Sequence, residues 1–259
     1  MHVVIKNGYS LNSIQNRFCV IIMDMMGVDE ELSKAAIRHM RQKEILDGLI
    51  ARFCDSQKYP ADSHPISVFM AGSPGAGKTE FSKNLLKIIG VGVIRIDPDE
   101  VRNLIPQYTG SNAHLFQYAV NIGVDKIFYH ALAHNQNFIL DGTMANFSKA
   151  YENIERTLKQ RDFVEIFYLF QDPVIAWDFT KKRELVEHRN ITKGAFIKSF
   201  FGSKETVTKI KEAFKDKIKL NLVVKNFTNN QEDFKKDIEK IDSHLKQSYT
   251  IEELERTLL

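Results

Sequence analysis

The stretch Ile66-Ser67-Val68-Phe69-Met70-Ala71-Gly72-Ser73-Pro74-Gly75-Ala76-Gly77-Lys78-Thr79 decides the fold. Its first six residues are an apolar run of strand length, and its last eight fit G-x-x-x-x-G-K-[ST]. Glu80 to Ile89 then carries Phe81, Leu85 and Ile88/Ile89 at helical spacing. Strand, glycine-rich loop and helix in that order make a phosphate cradle. The glycines let successive backbone N–H groups turn inward on an anion, at the positive end of the helix dipole. Gly72, Ser73, Pro74, Gly75, Ala76 and Gly77 form the cradle; Lys78 reaches a nucleotide's β/γ-phosphates, and the Thr79 hydroxyl is the expected ligand of Mg2+.

Downstream of the cradle, strand and helix patterns alternate, the signature of a parallel sheet with crossover helices. Strands are predicted at 66–71, 91–96, 137–141, 164–170 and 219–225. Helices are predicted at 78–89, 98–104, 113–135, 147–161, 174–188, 194–217, 232–247 and 250–258. Upstream the character changes. Leu11, Ile14, Phe18, Ile21/Ile22 and Met25 recur at helical spacing, closed by Gly27, and a second helix opens at Asp29-Glu30-Glu31 and runs to Phe53. Residues 57–65, with two prolines, read as a linker. The expected organisation is a helical N-terminal module at 1–60 and an α/β nucleotide-binding domain, a central parallel sheet flanked by helices, at 61–259.

Composition narrows the function. With 259 residues and 43% apolar content the chain can bury one sizeable core plus an appendage. A net charge of +3, from 36 basic and 33 acidic residues, argues against general nucleic-acid binding, although 204–219 holds six lysines against three acids. Cys19 and Cys54 form neither a disulfide framework nor a metal cluster, which points to a reducing cytoplasm. No apolar run has the length of a bilayer span or the flanks of a secretion signal.

Two further constellations suit phosphoryl transfer. Asp97-Pro98-Asp99-Glu100-Val101-Arg102 follows the second strand, where ligands of open α/β sheets gather. Asp97 with Pro98 reads as a helix N-cap and first helical residue, which leaves Asp99 as the candidate general base and Arg102, one turn on, as a holder of an anionic group. Phe138-Ile139-Leu140-Asp141-Gly142-Thr143 places a second acid after a strand, suited to Mg2+ or to a substrate hydroxyl. Arg183 and Arg189 lie in a basic stretch shaped like a mobile lid, where guanidinium groups can clamp equatorial phosphoryl oxygens.

This ordered set resembles the zeta-toxin family of P-loop kinases, the toxin halves of toxin–antitoxin pairs, over about 66–225. The resemblance implies an ATP-dependent kinase acting on a hydroxyl of a nucleotide sugar such as UDP-N-acetylglucosamine. Lys78 and Thr79 match the ATP·Mg2+ anchors, Asp99 the base, and Arg183 and Arg189 the phosphate clamps. Asp141 and Thr143 match substrate contacts, and Asp125, sixteen residues before Asp141, matches another. The family's two glutamates are aspartates here, Ile105 stands where a histidine is common, and the arginines are closer together. The antitoxins are helical and block nucleotide access, so 1–60 reads either as an inhibitor in cis or as a completion of the core, with an antitoxin in trans as the other partner. A polynucleotide or nucleoside kinase and a nucleotide-gated switch protein are the rival readings.

Overall fold

The structure is a computed structural model and describes residues 27–90, 92–162, 164–226, 231–245 and 249–259. The predicted helix at 11–25 lies outside the described residues. Helix α1 (27–40) and α2 (Lys43–Phe53) precede the sheet. Then follow β1 (Ser67–Ala71), α3 (Lys78–Ile89), β2 (Val93–Ile96), α4 (Pro98–Arg102), α5 (Gln117–Ala133) and β3 (Asn137–Leu140). The chain continues through α6 (Phe147–Leu158), β4 (Val164–Phe170), α7 (Pro173–Glu187), α8 (Lys193–Phe214), β5 (Ile218–Asn226), β6 (Gln231–Lys235) and α9 (Ile251–Thr257).

The sheet order is β2-β3-β1-β4-β5-β6, parallel up to β5, with β6 antiparallel at the edge. Strand alternation sorts the core into two layers. Val68, Met70, Phe167, Leu169 and Val223 pack on one face with Phe81 and Leu85 of α3. On the other face Phe69, Phe138, Ile166, Tyr168 and Leu222 meet residues of α2, α5, α6 and α8. Phe69, Phe128 and Phe138 form an edge-to-face trio with centroids 5.3–6.1 Å apart, which fixes α5 on β1 and β3. Among the described residues no helix is long and apolar enough to cross a membrane.

The five predicted strands are present, and four other expectations need correction. Residues 231–235 are a strand rather than the start of a helix: β6 pairs with β5, and residues 236–245 continue as turns. The helix expected to run from Asp29 to Phe53 breaks at Arg41-Gln42, which turns α2 onto α5. The predicted 113–135 helix divides into a 3-10 turn at Ala113–Phe116 followed by α5. Helices α4 and α6 end two to three residues early, and α8 yields to a 3-10 turn at Lys215–Lys217. Ala36, Met40, Leu49 and Phe53 join the same core cluster as the α5 residues. A Cβ on Gly123 of α5 would lie 2.7 Å from Val101, 3.1 Å from Met40 and 3.2 Å from Leu49, so only glycine admits this close approach. Cys54, beyond α2, is buried, and burial pushes its thiol up to about 12, so it is an inert packing residue.

Candidate active site at the phosphate loop

The sharp turn from β1 into α3 depends on backbone that only glycine adopts without strain. Gly72 has φ +134° and Gly75 has φ +74°. Any side chain there would also collide: a Cβ on Gly72 would sit 2.3 Å from the Leu169 carbonyl, and one on Gly75 would sit 2.0 Å from that of Ala176. The loop is thus pressed against the end of β4 and the start of α7. Lys78 bends back over it and donates to the carbonyls of Gly72 (3.0 Å) and Ser73 (2.7 Å). Burial pushes its ammonium down to about 8; Asp141 opposes that shift, and the Arg189 and Arg183 charges add to it.

Asp97 is the N-cap of α4: its Oδ1 accepts from the Asp99 backbone N–H at 2.9 Å, and Pro98 is the first helical residue. The short helix turns Asp99 toward three arginines. Arg102 donates to its Oδ1, Arg189 donates to its Oδ2, and the Arg183 guanidinium stands 3.6 Å from Oδ2. Arg102 is 2% exposed and its second nitrogen donates to Gln117 Oε1 at 3.0 Å, which places it behind Asp99 rather than in the open cleft. Arg183, half-exposed near the C-terminal end of α7, is also braced by Glu187 at 2.7 Å. Burial lowers the pKa of Arg189; Asp99 counters this, and Arg102 and Arg183 push it further down. Three arginines therefore converge on the Asp99 carboxylate, one of them shared with Glu187.

Asp141 lies under the loop. Its Oδ2 accepts from Ser82 Oγ on α3 at 2.9 Å and from Arg95 at 2.7 Å, and the same arginine nitrogen reaches Asp97 at 2.6 Å. Burial raises the pKa of Asp97, and Arg95 counters it. Thr143 is joined to the loop through its backbone: its carbonyl accepts from Gly72 N–H at 3.2 Å and from Ser203 Oγ at 2.7 Å. Asp125 on α5 pairs instead with Lys149 on α6 at 2.7 Å. Ile105 is buried in the core cluster.

Arg95, Ser82 and Gln117 carry much of this geometry and no motif marks them. Arg95 was hidden by strand patterning, since it occupies an interior position of an apolar run. Ser82 gave a weak signal, a small polar residue one helical turn beyond Thr79 with its hydroxyl on the Thr79 carbonyl at 3.1 Å. At least three of the six lysines of 204–219 pair with acids: Lys204 with Asp242, Lys209 with Glu205 at 2.5 Å, and Lys211 with Glu239 at 3.2 Å.

A phosphate cradle beside a carboxylate held among arginines can bind a nucleotide's phosphates and move the terminal one to a hydroxyl, which places the protein among the ATP-dependent P-loop kinases. The chain belongs to the zeta toxin family, whose model matches residues 50–239. No curated protein matches it. Among solved structures it is similar in fold to that of the PezAT chromosomal toxin–antitoxin system of Streptococcus pneumoniae, at 12% identity, covering 84% of this chain and 88% of that one with a TM-score of 0.57. It is also similar to the AvrRxo1-ORF1:-ORF2 structure with ATP, at 13% identity, covering 79% of this chain and 65% of that one with a TM-score of 0.53.

Proposed function

We propose that the protein transfers the γ-phosphate of ATP to a hydroxyl of a small acceptor, with a nucleotide sugar such as UDP-N-acetylglucosamine as the leading candidate. The observation that carries this reading is the convergence of Arg102, Arg183 and Arg189 on Asp99, together with a phosphate loop over which Lys78 is folded back. The acceptor oxygen bonds to the γ-phosphorus as the bond to the bridging β,γ-oxygen breaks. ADP leaves with that oxygen, and the acceptor proton passes to Asp99. Lys78 and the loop N–H groups hold the β- and γ-phosphates, while Arg183 and Arg189 neutralise charge that spreads over the γ-oxygens in the transition state. Thr143, joined to the loop through its backbone, and Asp125, paired with Lys149, are the residues proposed to meet the acceptor.

The donor set fits Mg2+. The Thr79 hydroxyl opens α3, Asp141 lies beneath the same turn, and among the described residues no cluster of acids, histidines or cysteines forms a cage of its own. Mg2+ characteristically takes one or two protein oxygens and completes its shell with phosphates and water. When bound, it would supply charge neutralisation at the β- and γ-phosphates.

PezAT is a toxin–antitoxin system, and for this chain an antitoxin partner is proposed. Untargeted metabolite profiling of cells expressing the wild type against Lys78→Ala tests the acceptor. A phosphomonoester of a nucleotide sugar that accumulates only with the wild type supports the reading. Accumulation of a phosphorylated nucleoside or oligonucleotide end instead would replace it.

A further inference from the structure

The two oxygens of Asp99 are held in unlike ways. Oδ1 is bonded to Arg102, which arises one turn along the same helix, is 2% exposed, and is fixed in turn by Gln117. Gln117 donates onward to Asn121 at 2.9 Å, so a chain of hydrogen bonds along α5 backs this contact. Oδ2 is bonded to Arg189, which comes from the segment joining α7 to α8 and is a third exposed, with Arg183 at 3.6 Å. A ligand cannot displace the first contact without unpacking α4 from α5. It can displace the second by offering those arginines a better anion.

We propose that Asp99 is a latched base: Oδ1 stays anchored on Arg102, and Oδ2 is released to accept the acceptor's proton only when a nucleotide's γ-phosphate draws Arg183 and Arg189 onto itself. The inference rests on the kinase reading above. While Arg189 donates to Oδ2, that oxygen's outward lone pairs are engaged, and an acceptor hydroxyl meets a guanidinium rather than a base. A γ-phosphate presents three oxygens and more charge than a carboxylate, and two guanidinium groups can each bind it in a fork. Arg102, Arg183 and Arg189 repel one another around Asp99, with only Arg183 also paired to Glu187, so an entering phosphate relieves that crowding. ADP lacks the γ-phosphate and leaves the latch closed. The productive order is nucleotide first, acceptor second.

Calorimetric titration of the full chain with Mg2+·AMP-PNP and with Mg2+·ADP tests this in wild type, Asp99→Asn, Arg189→Ala and the double variant. Removing the competing carboxylate should tighten AMP-PNP about tenfold, the scale of one charge-assisted hydrogen bond, while ADP changes by less than about threefold. In the Arg189→Ala background the gain should shrink to less than about threefold, because the competition has lost its object. Equal tightening of both nucleotides, or a gain that survives without Arg189, would reduce the effect to long-range charge and overturn the latch. Weaker binding of both in Asp99→Asn would overturn it as well. Asp99→Ser, with thermal unfolding as the folding control, repeats the comparison with a second side chain. AMP-PNP binding without the selective gain removes the latch alone; no binding of AMP-PNP to the wild type removes the kinase reading with it.

Discussion

Arg95, inside β2, donates to Asp141, beyond the end of β3, at 2.7 Å, and so fastens together the ends of two neighbouring strands directly beneath the phosphate loop. Both side chains are nearly inaccessible, at 7% and 5%. Replacing Arg95 with Met should therefore destabilise the protein by about 3–5 kcal/mol, because it leaves Asp141 and Asp97 buried without their cation. Denaturant unfolding measures it. Burial already raises the pKa of Asp97, and loss of Arg95 raises it further. A carboxyl raised in the folded state costs stability as pH rises from its unfolded value through its folded one, so the deficit should be larger at neutral pH than in mild acid. A deficit independent of pH would contradict this account of the network.

The Lys78 ammonium, at about 8 in the free protein, predicts proton-linked nucleotide binding. Bound phosphates favour the charged form and raise its pKa, so the complex holds more protons than the free protein at pH values between the two. ATP affinity should fall as pH rises through about 8, by at most about tenfold per pH unit. Calorimetry in two buffers of different ionisation enthalpy should find proton uptake near pH 9 and almost none near neutrality. Equal enthalpies in both buffers near pH 9 would show that Lys78 does not change its protonation on binding.

Arg183 and Arg189 differ in how firmly they are held before ligand arrives: Arg183 is braced by Glu187, and Arg189 is bonded to Asp99. Either changed to Ala should lower kcat by about 10²-fold or more, with a smaller change in the ATP dissociation constant, because their contact is strongest with transition-state charge. Single-turnover kinetics with separately measured nucleotide affinity checks this. Unchanged kcat with a raised KM would make them ground-state binders.

The inhibitory and core-completing readings of residues 1–60 part at α5. Met40 and Leu49 pack against Gly123 within the core cluster, next to Val101 of α4, the helix that carries Asp99. Truncation to residue 61 should thus uncover apolar surface on α5 and lower soluble yield and thermal stability, and Gly123→Ala should weaken the same contact in the full chain. A folded truncation with raised turnover would instead mark the segment as a cis inhibitor.

The strands and the loop were legible because a parallel sheet writes itself as short apolar runs and a phosphate cradle needs glycine at fixed places. Residues 231–235 read as helix in the sequence because Phe234, between charged Asp233 and Lys235, fits one turn of an amphipathic helix as well as an edge strand, and only pairing with β5 decides. Asp99 and the arginines were legible as residue types at strand and helix ends. Their mutual contact was not, since ninety residues separate Arg189 from Asp99 and only the tertiary fold brings them together. Arg95 is invisible for the converse reason: one charge inside an apolar run does not break the pattern, and the four groups that satisfy its donors, Ser82, Asp97, Glu100 and Asp141, are known only once the sheet is assembled.

The most direct test of the account is transfer of label from γ-labelled ATP, with a small-metabolite extract or UDP-N-acetylglucosamine as acceptor, in wild type and Asp99→Asn. The account predicts ADP and a labelled phosphomonoester from the wild type, and from the variant a loss of about 10²-fold or more in turnover with AMP-PNP binding retained. Label released only as inorganic phosphate, or full transfer by Asp99→Asn, would contradict it.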